Sequence, residues 1–203
     1  MSVSRVAMAL QQSSQLPNHG ETADLVKENE RLTYELSQMR LRLLELERDA
    51  DMDPLIPIFN RRAFMRELAR AQAVFARYDI PSSLIFFDLN GFKKINDRFG
   101  HSIGDELLRK VGLIILESVR NCDLVARLGG DEFSVLLFQT THKVAEAKAS
   151  ALACRIAEQK IDHPTGDIRV TAAWGVAPCD PNDTAKQILS RADRAMYINK
   201  KSS

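Results

Sequence analysis

The apolar positions of residues 21–52 repeat with a period of seven. One series consists of Leu25, Leu32, Met39 and Leu46. A second series lies four residues further on and consists of Asn29, Leu36, Leu43 and Ala50. Because no glycine or proline interrupts these heptads, the pattern predicts a coiled-coil helix with the two series as its seam.

The residues around this seam favour two parallel strands. Asn29 occupies a seam position where asparagine specifies a parallel dimer. Charges beside the seam would attract between parallel helices, as in the pairs Glu35–Arg40 and Arg42–Glu47. We therefore expect a homodimer through residues 25–50. Leu41 and Leu44 lie off the seam and keep open a second interpretation, a single amphipathic helix packed against its own domain.

After Asp53 and Pro54 the pattern changes to shorter helical and strand-like segments. A connector at 55–62 leads into predicted helices at 61–78, 105–119, 142–160 and 183–200. Apolar runs predict strands at 83–89, 125–128, 133–138 and 168–178. This order predicts an α/β (α+β) sandwich in which helices cover a mainly antiparallel sheet. We expect three regions: a disordered Ser- and Gln-rich tail (1–20), a coiled-coil helix (21–52) and a folded domain (53–203).

Composition narrows the function classes. The 203 residues are 45% hydrophobic and 27% charged with a formal net charge of +1, which gives no indication of nucleic-acid or anionic-membrane binding. The three cysteines are odd in number and lack metal-ligand spacing, which favours a reduced compartment over a disulfide framework. Since no signal peptide or membrane span is apparent, we expect a soluble, cytoplasmic protein.

The stretch VARLGGDEFSVLLF (125–138) places two acidic residues beside a glycine pair. Two apolar runs around Gly129 and Gly130 predict a β-hairpin, with the glycines expected to supply positive φ angles. Asp131 and Glu132 follow at the exit of the turn. They fit either an ordinary solvated turn or a site that a cation or phosphate approaches closely.

A third carboxylate and several nucleotide-binding side chains precede the hairpin. Asp88 ends an apolar strand, where it could cap a turn or join a metal site. The following segment (90–112) contains phosphate-binding lysines, an amide and a carboxylate that could contact a base edge, and apolar groups that could cover a ring: Lys93 and Lys94, Asn96 and Asp105, Phe92 and Leu108. Each residue also occurs on ordinary solvated helices, so the indication comes from their density.

Several motifs in this order resemble the GGDEF-domain diguanylate cyclases over residues 51–201. They are NRRAF (60–64), FDLNGFKKINDRFGHSIGD (87–105), RLGGDEF (127–133), TxxxGVA (171–177) and ADRAMYINK (192–200). The resemblance implies a ferredoxin-like, nucleotidyl-cyclase-type sandwich. It also implies that two GTP molecules are joined into cyclic di-GMP with release of two pyrophosphates.

The resemblance also implies roles for individual residues. Asp88, the Leu89 carbonyl, Asp131 and Glu132 would bind Mg²⁺ or Mn²⁺ in a two-metal site, and Asp131 would accept the 3′-hydroxyl proton. Asn96 and Asp105 would bind the guanine edge, with Leu108 beside the ring. Phe92, Lys93 and Lys200 would surround the triphosphate. Arg120 and Asp123 form an RxxD motif where the family has its product-inhibition site, although a surface ion pair is the alternative.

Elementary chemistry agrees with this assignment. Three neighbouring carboxylates raise one another's pKa unless a cation lies between them, and hard oxygen ligands suit Mg²⁺. A product built from two GTP molecules needs two facing half-sites, so the predicted dimer would serve catalysis.

The chain also departs from the family pattern. Ile56 and Pro57 replace Thr and Gly near the domain start, Asn90 replaces a common Asp, and the Arg that follows Lys200 in the family is missing. None of these departures removes a predicted metal or guanine group, so we expect an active cyclase. Two alternatives are a domain that binds GTP or cyclic di-GMP without turnover, and a coiled-coil scaffold. A regulatory protein partner could bind the N-terminal region.

Overall fold

The computed structural model describes residues 19–164 and 166–202, with the side chains of residues 19–21, 44–49 and 202 left out. Most of the predicted tail therefore lies outside the described residues. The chain divides into two compact units, residues 1–50 and 51–203. The helices are α1 (His19–Asp51), α2 (Arg61–Tyr78), α3 (Phe92–Phe99), α4 (His101–Glu117), α5 (His142–Glu158) and α6 (Ala185–Ser202). The strands are β1 (Phe59–Asn60), β2 (Ser82–Leu89), β3 (Leu124–Arg127), β4 (Glu132–Phe138) and β5 (Ala172–Pro178).

Helix α1 agrees with the predicted coiled-coil segment and has an exposed apolar seam. The large apolar seam side chains that are described are 45–64% exposed, namely Leu25, Leu32, Leu36, Met39 and Leu43. Leu41, which lies off the seam, is 56% exposed. Within one chain Glu35 pairs with Arg31 on the same helix rather than with Arg40. A single helix cannot bury these apolar side chains against itself, so their burial would require a second surface.

The second unit is built on a five-stranded sheet in the order β1-β3-β4-β2-β5. Only the short β1–β3 pair is parallel, and the other pairs are antiparallel. The prediction of a mainly antiparallel sheet with packed helices is therefore confirmed. The predicted helix 61–78 matches α2, and most other predicted ends differ from the structure by one to four residues.

Alternating residues of β2, which lies between β4 and β5, divide the core between the two faces of the sheet. Ile85, Phe87 and Leu89 face a cluster formed mainly with α4 and α5. Leu84 and Phe86 face a second cluster formed with α2 and α6. By the same alternation, Asp88 belongs to the α2–α6 face, at the end where the apolar strand meets the surface.

The segment from 51 to 60 is fixed by polar contacts. Asp51 pairs with Arg62 and with Arg66, and the Asn60 side chain donates to the Met52 carbonyl. Ile56 is 2% exposed and packs against Gly112, where a β-carbon would come within 2.7 Å of the Ile56 side chain. The departure at position 56 is thus an apolar residue buried in the core.

No helix in the described part of the chain is long and apolar enough to cross a membrane.

Candidate active site

The sheet brings two of the predicted metal-binding acids together. In the antiparallel pairing of β2 with β4, Asp88 lies directly opposite Glu132. Residues that face each other in such a pair have side chains on the same side of the sheet with β-carbons about 5 Å apart. The Leu89 amide donates to the Asp131 carbonyl over 3.2 Å. The backbones of all three acidic residues therefore meet where β2 ends and β4 begins, and Asp88 and Glu132 share one face of the sheet.

The connection between β3 and β4, residues 128–131, is called the signature turn below. The hairpin itself was predicted correctly, but the reason given for its glycines was wrong. Neither Gly129 nor Gly130 has a φ between +20° and +160°. The turn is instead closed by Leu128, whose amide donates to the Glu132 carbonyl over 2.8 Å.

Gly129 is needed for space instead of for an unusual φ. A β-carbon at this position would come within 2.6 Å of Glu132 Oε2. The Glu132 carboxylate therefore folds back over the α-carbon of Gly129, an approach that a larger residue would obstruct.

An ion pair inside the domain fixes the signature turn from one side. Arg127 donates to the Gly130 carbonyl through Nε over 3.1 Å and through Nη2 over 2.8 Å. Its Nη1 lies 3.5 Å from Asp53 Oδ1, and the two side chains are only 16% and 10% exposed. Asp53 Oδ1 also accepts hydrogen bonds from the amides of Leu55 and Ile56. The segment that enters the domain is thereby tied to the turn that presents the acids.

Replacing Asp53 with alanine is expected to destabilise the domain. The change removes the charge that faces Arg127 and the acceptor of two backbone amides, and a charge-assisted hydrogen bond contributes about 1.5–3 kcal/mol. The free energy of unfolding, measured by urea denaturation, should fall by about that amount. Asp97→Ala, at an exposed position of α3, is the control and should leave it unchanged. Equal stability of the two variants would contradict the assigned role.

The acids influence the protonation of Glu132. Burial raises the pKa of Glu132, and the carboxylates of Asp131, Asp88 and Asp193 raise it further, whereas the Arg61 guanidinium lowers it. Burial is the largest of these effects on the pKa of Glu132, and the nearby carboxylates add to it, as expected where acidic side chains converge.

A lysine now neutralises the neighbouring acid. Lys200 near the end of α6 forms an ion pair with Asp88, and its side chain is 39% exposed. Among the described residues, no three histidine, cysteine or acidic side chains are placed to hold a metal ion together. Asp88 therefore has a cationic partner from α6, and the predicted triphosphate lysine lies at the predicted metal site.

The predicted base-binding pair lies on consecutive helices. Asn96 on α3 packs against Gly104 on α4, where a β-carbon would overlap the Asn96 side-chain oxygen. That oxygen is buried and has no hydrogen-bond partner within the described residues. Asp105 follows Gly104 directly and is half-buried. A buried oxygen without a partner costs about 1–3 kcal/mol, so a ligand N–H donor at this place would be stabilised.

The remaining predicted substrate residues differ in exposure. Lys93 is exposed on the first turn of α3. Phe92 and Leu108 are 8% and 2% exposed and belong to the core cluster beneath the two helices. Phe92 and Leu108 therefore anchor α3 and α4 to the hydrophobic core.

The RxxD residues form a local turn at the start of β3. The Arg120 amide donates to Asp123 Oδ2, and Asp123 Oδ1 accepts from the Phe138 amide. The Arg120 side chain is exposed and makes no ion pair with Asp123 within the described part of the chain. Asp123 is thus engaged with the backbone while the guanidinium projects from the surface.

Sequence reasoning missed four residues that surround the signature turn: Asp53, Arg61, Arg127 and Asp193. Arg127 is inside the quoted motif RLGGDEF and Arg61 is inside NRRAF. Their motifs were a usable signal, but the partners of these arginines lie far away in sequence.

The comparisons with known proteins agree with this geometry. The family model described as "Diguanylate cyclase, GGDEF domain" matches residues 50–203. The chain belongs to the GGDEF-domain family. It is 34% identical over 158 residues to diguanylate cyclase DosC of Escherichia coli, covering 75% of this chain and 34% of DosC. It is also 34% identical over 160 residues to diguanylate cyclase DgcS of Shewanella oneidensis, covering 78% of this chain and 52% of DgcS. The chain thus spans about a third to a half of the length of these curated relatives.

Two solved structures extend the likeness beyond the GGDEF domain. The coiled coil and GGDEF domain of DgcB from Caulobacter crescentus, in complex with c-di-GMP, aligns with a TM-score of 0.79 and 26% identity, covering 88% of this chain and 95% of that chain. Diguanylate cyclase SiaD from Pseudomonas aeruginosa, in complex with its activator SiaC, aligns with a TM-score of 0.71 and 26% identity, covering 99% of this chain and 80% of that chain.

Proposed function

We propose that this GGDEF protein is a diguanylate cyclase that condenses two GTP molecules into cyclic di-GMP and two pyrophosphates. The observation that supports it most is the register of the sheet, which sets Asp88 opposite Glu132 and ties Leu89 to Asp131. Loss of these acids would be expected in a domain that only binds nucleotide, and all three are present. The 34% identity to proteins named diguanylate cyclase supports the same reaction.

The residues fit a divalent metal, Mg²⁺ or Mn²⁺. Asp88, Asp131, Glu132 and the Leu89 carbonyl would hold it, and we propose that two ions are bound in the reaction. The fit rests on the repulsion felt by Glu132 and on Lys200, whose ammonium now lies against Asp88 as a cation would. A bound ion would lower the pKa of the 3′-hydroxyl and neutralise the triphosphate. Within the chain, Asp131 would accept the 3′-hydroxyl proton, and Lys200 would turn from Asp88 to the phosphates together with Lys93.

The base site would select guanine. Asp105 can accept hydrogen bonds from the N1–H and the exocyclic amine of guanine, a pair of donors that adenine does not offer. The partnerless oxygen of Asn96 gives this site a second acceptor. A site built on such bonds discriminates strongly, because the wrong base leaves buried polar groups unpaired.

One domain would bind one GTP, so the reaction requires two domains. Each 3′-hydroxyl must face the α-phosphorus of the other GTP. A parallel coiled coil through residues 25–50 would keep the second half-site at a high effective concentration. The exposed seam of α1 supports this homodimer. We accordingly assign residues 21–52 to dimerisation and residues 53–203 to catalysis.

The same helix would also bind a regulatory protein. The structurally similar SiaD is an enzyme in complex with its activator SiaC, and it matches 99% of this chain. On the basis of this likeness, we propose that a regulatory protein binds the N-terminal region.

The product would inhibit the enzyme through Arg120 and Asp123. An exposed guanidinium suits a phosphate or the Hoogsteen edge of guanine. Arg120→Ala should therefore retain activity but weaken inhibition by added cyclic di-GMP about tenfold or more. Initial rates at increasing cyclic di-GMP test this, with Arg109→Ala on the exposed side of α4 as control. Identical inhibition of Arg120→Ala and wild type would remove the site from the proposal.

The deciding experiment is direct. Purified protein incubated with GTP and Mg²⁺ should yield cyclic di-GMP and pyrophosphate when the nucleotides are separated chromatographically. A nucleotide receptor would bind GTP or cyclic di-GMP without turnover, and a scaffold would bind neither. Absence of cyclic di-GMP from a verified dimer would overturn the main proposal in favour of one of these two.

A further inference from the structure

The pairing of β1 with β3 places Arg61 beside the signature turn. Arg61 is the first residue of α2 and follows β1, in which Asn60 lies alongside Arg127 of β3. The Asn60 side chain caps α2 by accepting from the Ala63 amide over 3.0 Å. The backbone of Arg61 therefore has a defined place next to the strand that enters the turn.

The side chain of Arg61 makes a contact with the signature turn in addition to those of Arg127. Its Nη1 donates to the Leu128 carbonyl over 3.4 Å. Arg61 and Glu132 also line one cavity of about 350 Å³ between α2 and α6. Phe86 and Leu189 contribute its apolar surface, while Lys186 and Asp193 contribute the remaining charges.

Glu132 has restricted freedom in this place. Its carboxylate lies against the α-carbon of Gly129, and Asp88 occupies the facing position of β2. Three other carboxylates repel it, whereas the Arg61 guanidinium attracts it. Without this guanidinium, the carboxylate would lower its electrostatic free energy by turning away from its acidic neighbours into the open cavity.

We propose that Arg61 is a positioning residue that holds Glu132, and with it the signature turn, in the arrangement that the reaction requires. The inference rests on the proposed cyclase function for its kinetic consequences. Arg61 itself would touch neither GTP nor the reacting atoms. It would act through Glu132, by charge, and through the Leu128 carbonyl, by a hydrogen bond.

Variants of Arg61 separate positioning from a general structural role. Arg61→Gln should lower kcat for cyclic di-GMP formation about 10- to 100-fold while KM for GTP changes little, because the loss concerns the charge that positions Glu132 rather than substrate binding. Arg61→Lys should retain more activity, since it keeps the charge without the planar fork. Millimolar guanidinium should restore part of the activity of Arg61→Ala, because the adjoining cavity leaves room for it. Arg70→Gln is the matched control, an exposed arginine on the same helix paired with Glu67.

A double-mutant cycle tests the charge interaction between Arg61 and Glu132 without any measurement of activity. The fall in Tm caused by Arg61→Gln should be smaller in a Glu132→Gln background, because the neutral side chain has no charge for Arg61 to hold. If the wild type makes no cyclic di-GMP, the proposed cyclase fails while this cycle still decides whether Arg61 acts on Glu132. Additive Tm changes in the cycle would overturn the inference. In an active enzyme, equal kinetics of Arg61→Gln and Arg70→Gln would overturn it too.

Discussion

Replacing Asp131 with alanine is expected to abolish cyclic di-GMP formation. Asp131 stands in the signature turn, linked through its carbonyl to Leu89 and flanked by the facing pair Asp88 and Glu132. Its loss would remove both a proposed metal ligand and the proposed acceptor of the 3′-hydroxyl proton. Each function lowers the activation barrier by several kcal/mol, so the rate should fall about 10³-fold or more when both are lost. Chromatographic quantification of cyclic di-GMP at saturating GTP and Mg²⁺ measures the effect.

The fold should survive this substitution, which makes the result interpretable. Asp131 is half-buried and outside the hydrophobic core, so Tm and the dimeric state should match wild type. Asp97→Ala is the control, because it removes an equal charge from the neighbouring helix α3 at an exposed position. If Asp131→Ala kept wild-type turnover, the site would have to be sought elsewhere in the domain.

The pairing of acids could be foreseen from sequence because it depends on local patterns. An apolar strand that ends in Asp88 and a hairpin that begins with Glu132 needed only to become neighbours in one sheet. The sheet order β3-β4-β2 supplies that adjacency. Alternation of side chains along β2 and β4 then fixes which residues share a face. The strand ends and the alternation follow from short-range rules, whereas the adjacency of β2 and β4 is a long-range feature that only the structure shows.

The supports of the signature turn could not be foreseen in this way. Arg127 is 74 residues from Asp53, and Arg61 is 67 residues from Leu128. Such contacts depend on the packing of α2 and the entry segment against the sheet, which no local pattern specifies. The glycine pair was misjudged for a related reason. Gly129 provides space for a side chain three residues away, and sequence reasoning tested only its backbone freedom.

Two of the departures from the family pattern, Ile56 and Asn90, have a physical interpretation. Ile56 is buried against Gly112, and its amide donates to Asp53, the residue that braces Arg127. Asn90 donates to the Thr171 side chain over 2.9 Å and thereby joins β2 to the start of β5. Both substitutions are used in packing and hydrogen bonding within the domain, so neither removes a group from the proposed chemistry.

The coiled-coil seam should determine activity at low protein concentration. In the double variant Leu36→Glu, Leu43→Glu, two carboxylates per chain would be placed on the seam, where like charges would face each other across the dimer. The chain should become monomeric, and each half-site would then meet its partner only by diffusion. Turnover per chain at nanomolar protein should fall about 10²-fold or more and recover partly as protein concentration rises. Sedimentation and initial rates over a dilution series measure both effects.

Leu41→Glu is the matched control for this prediction. Leu41 is 56% exposed, against 57% for both Leu36 and Leu43, but it lies off the seam. Its replacement adds one carboxylate per chain to the same helix at nearly equal exposure, against two in the double variant, so the dimer and its activity should persist. Should Leu41→Glu be the variant that dissociates the protein, the helices would associate through another face. Unchanged turnover in a monomeric Leu36→Glu, Leu43→Glu protein would show instead that the two half-sites meet without the coiled coil.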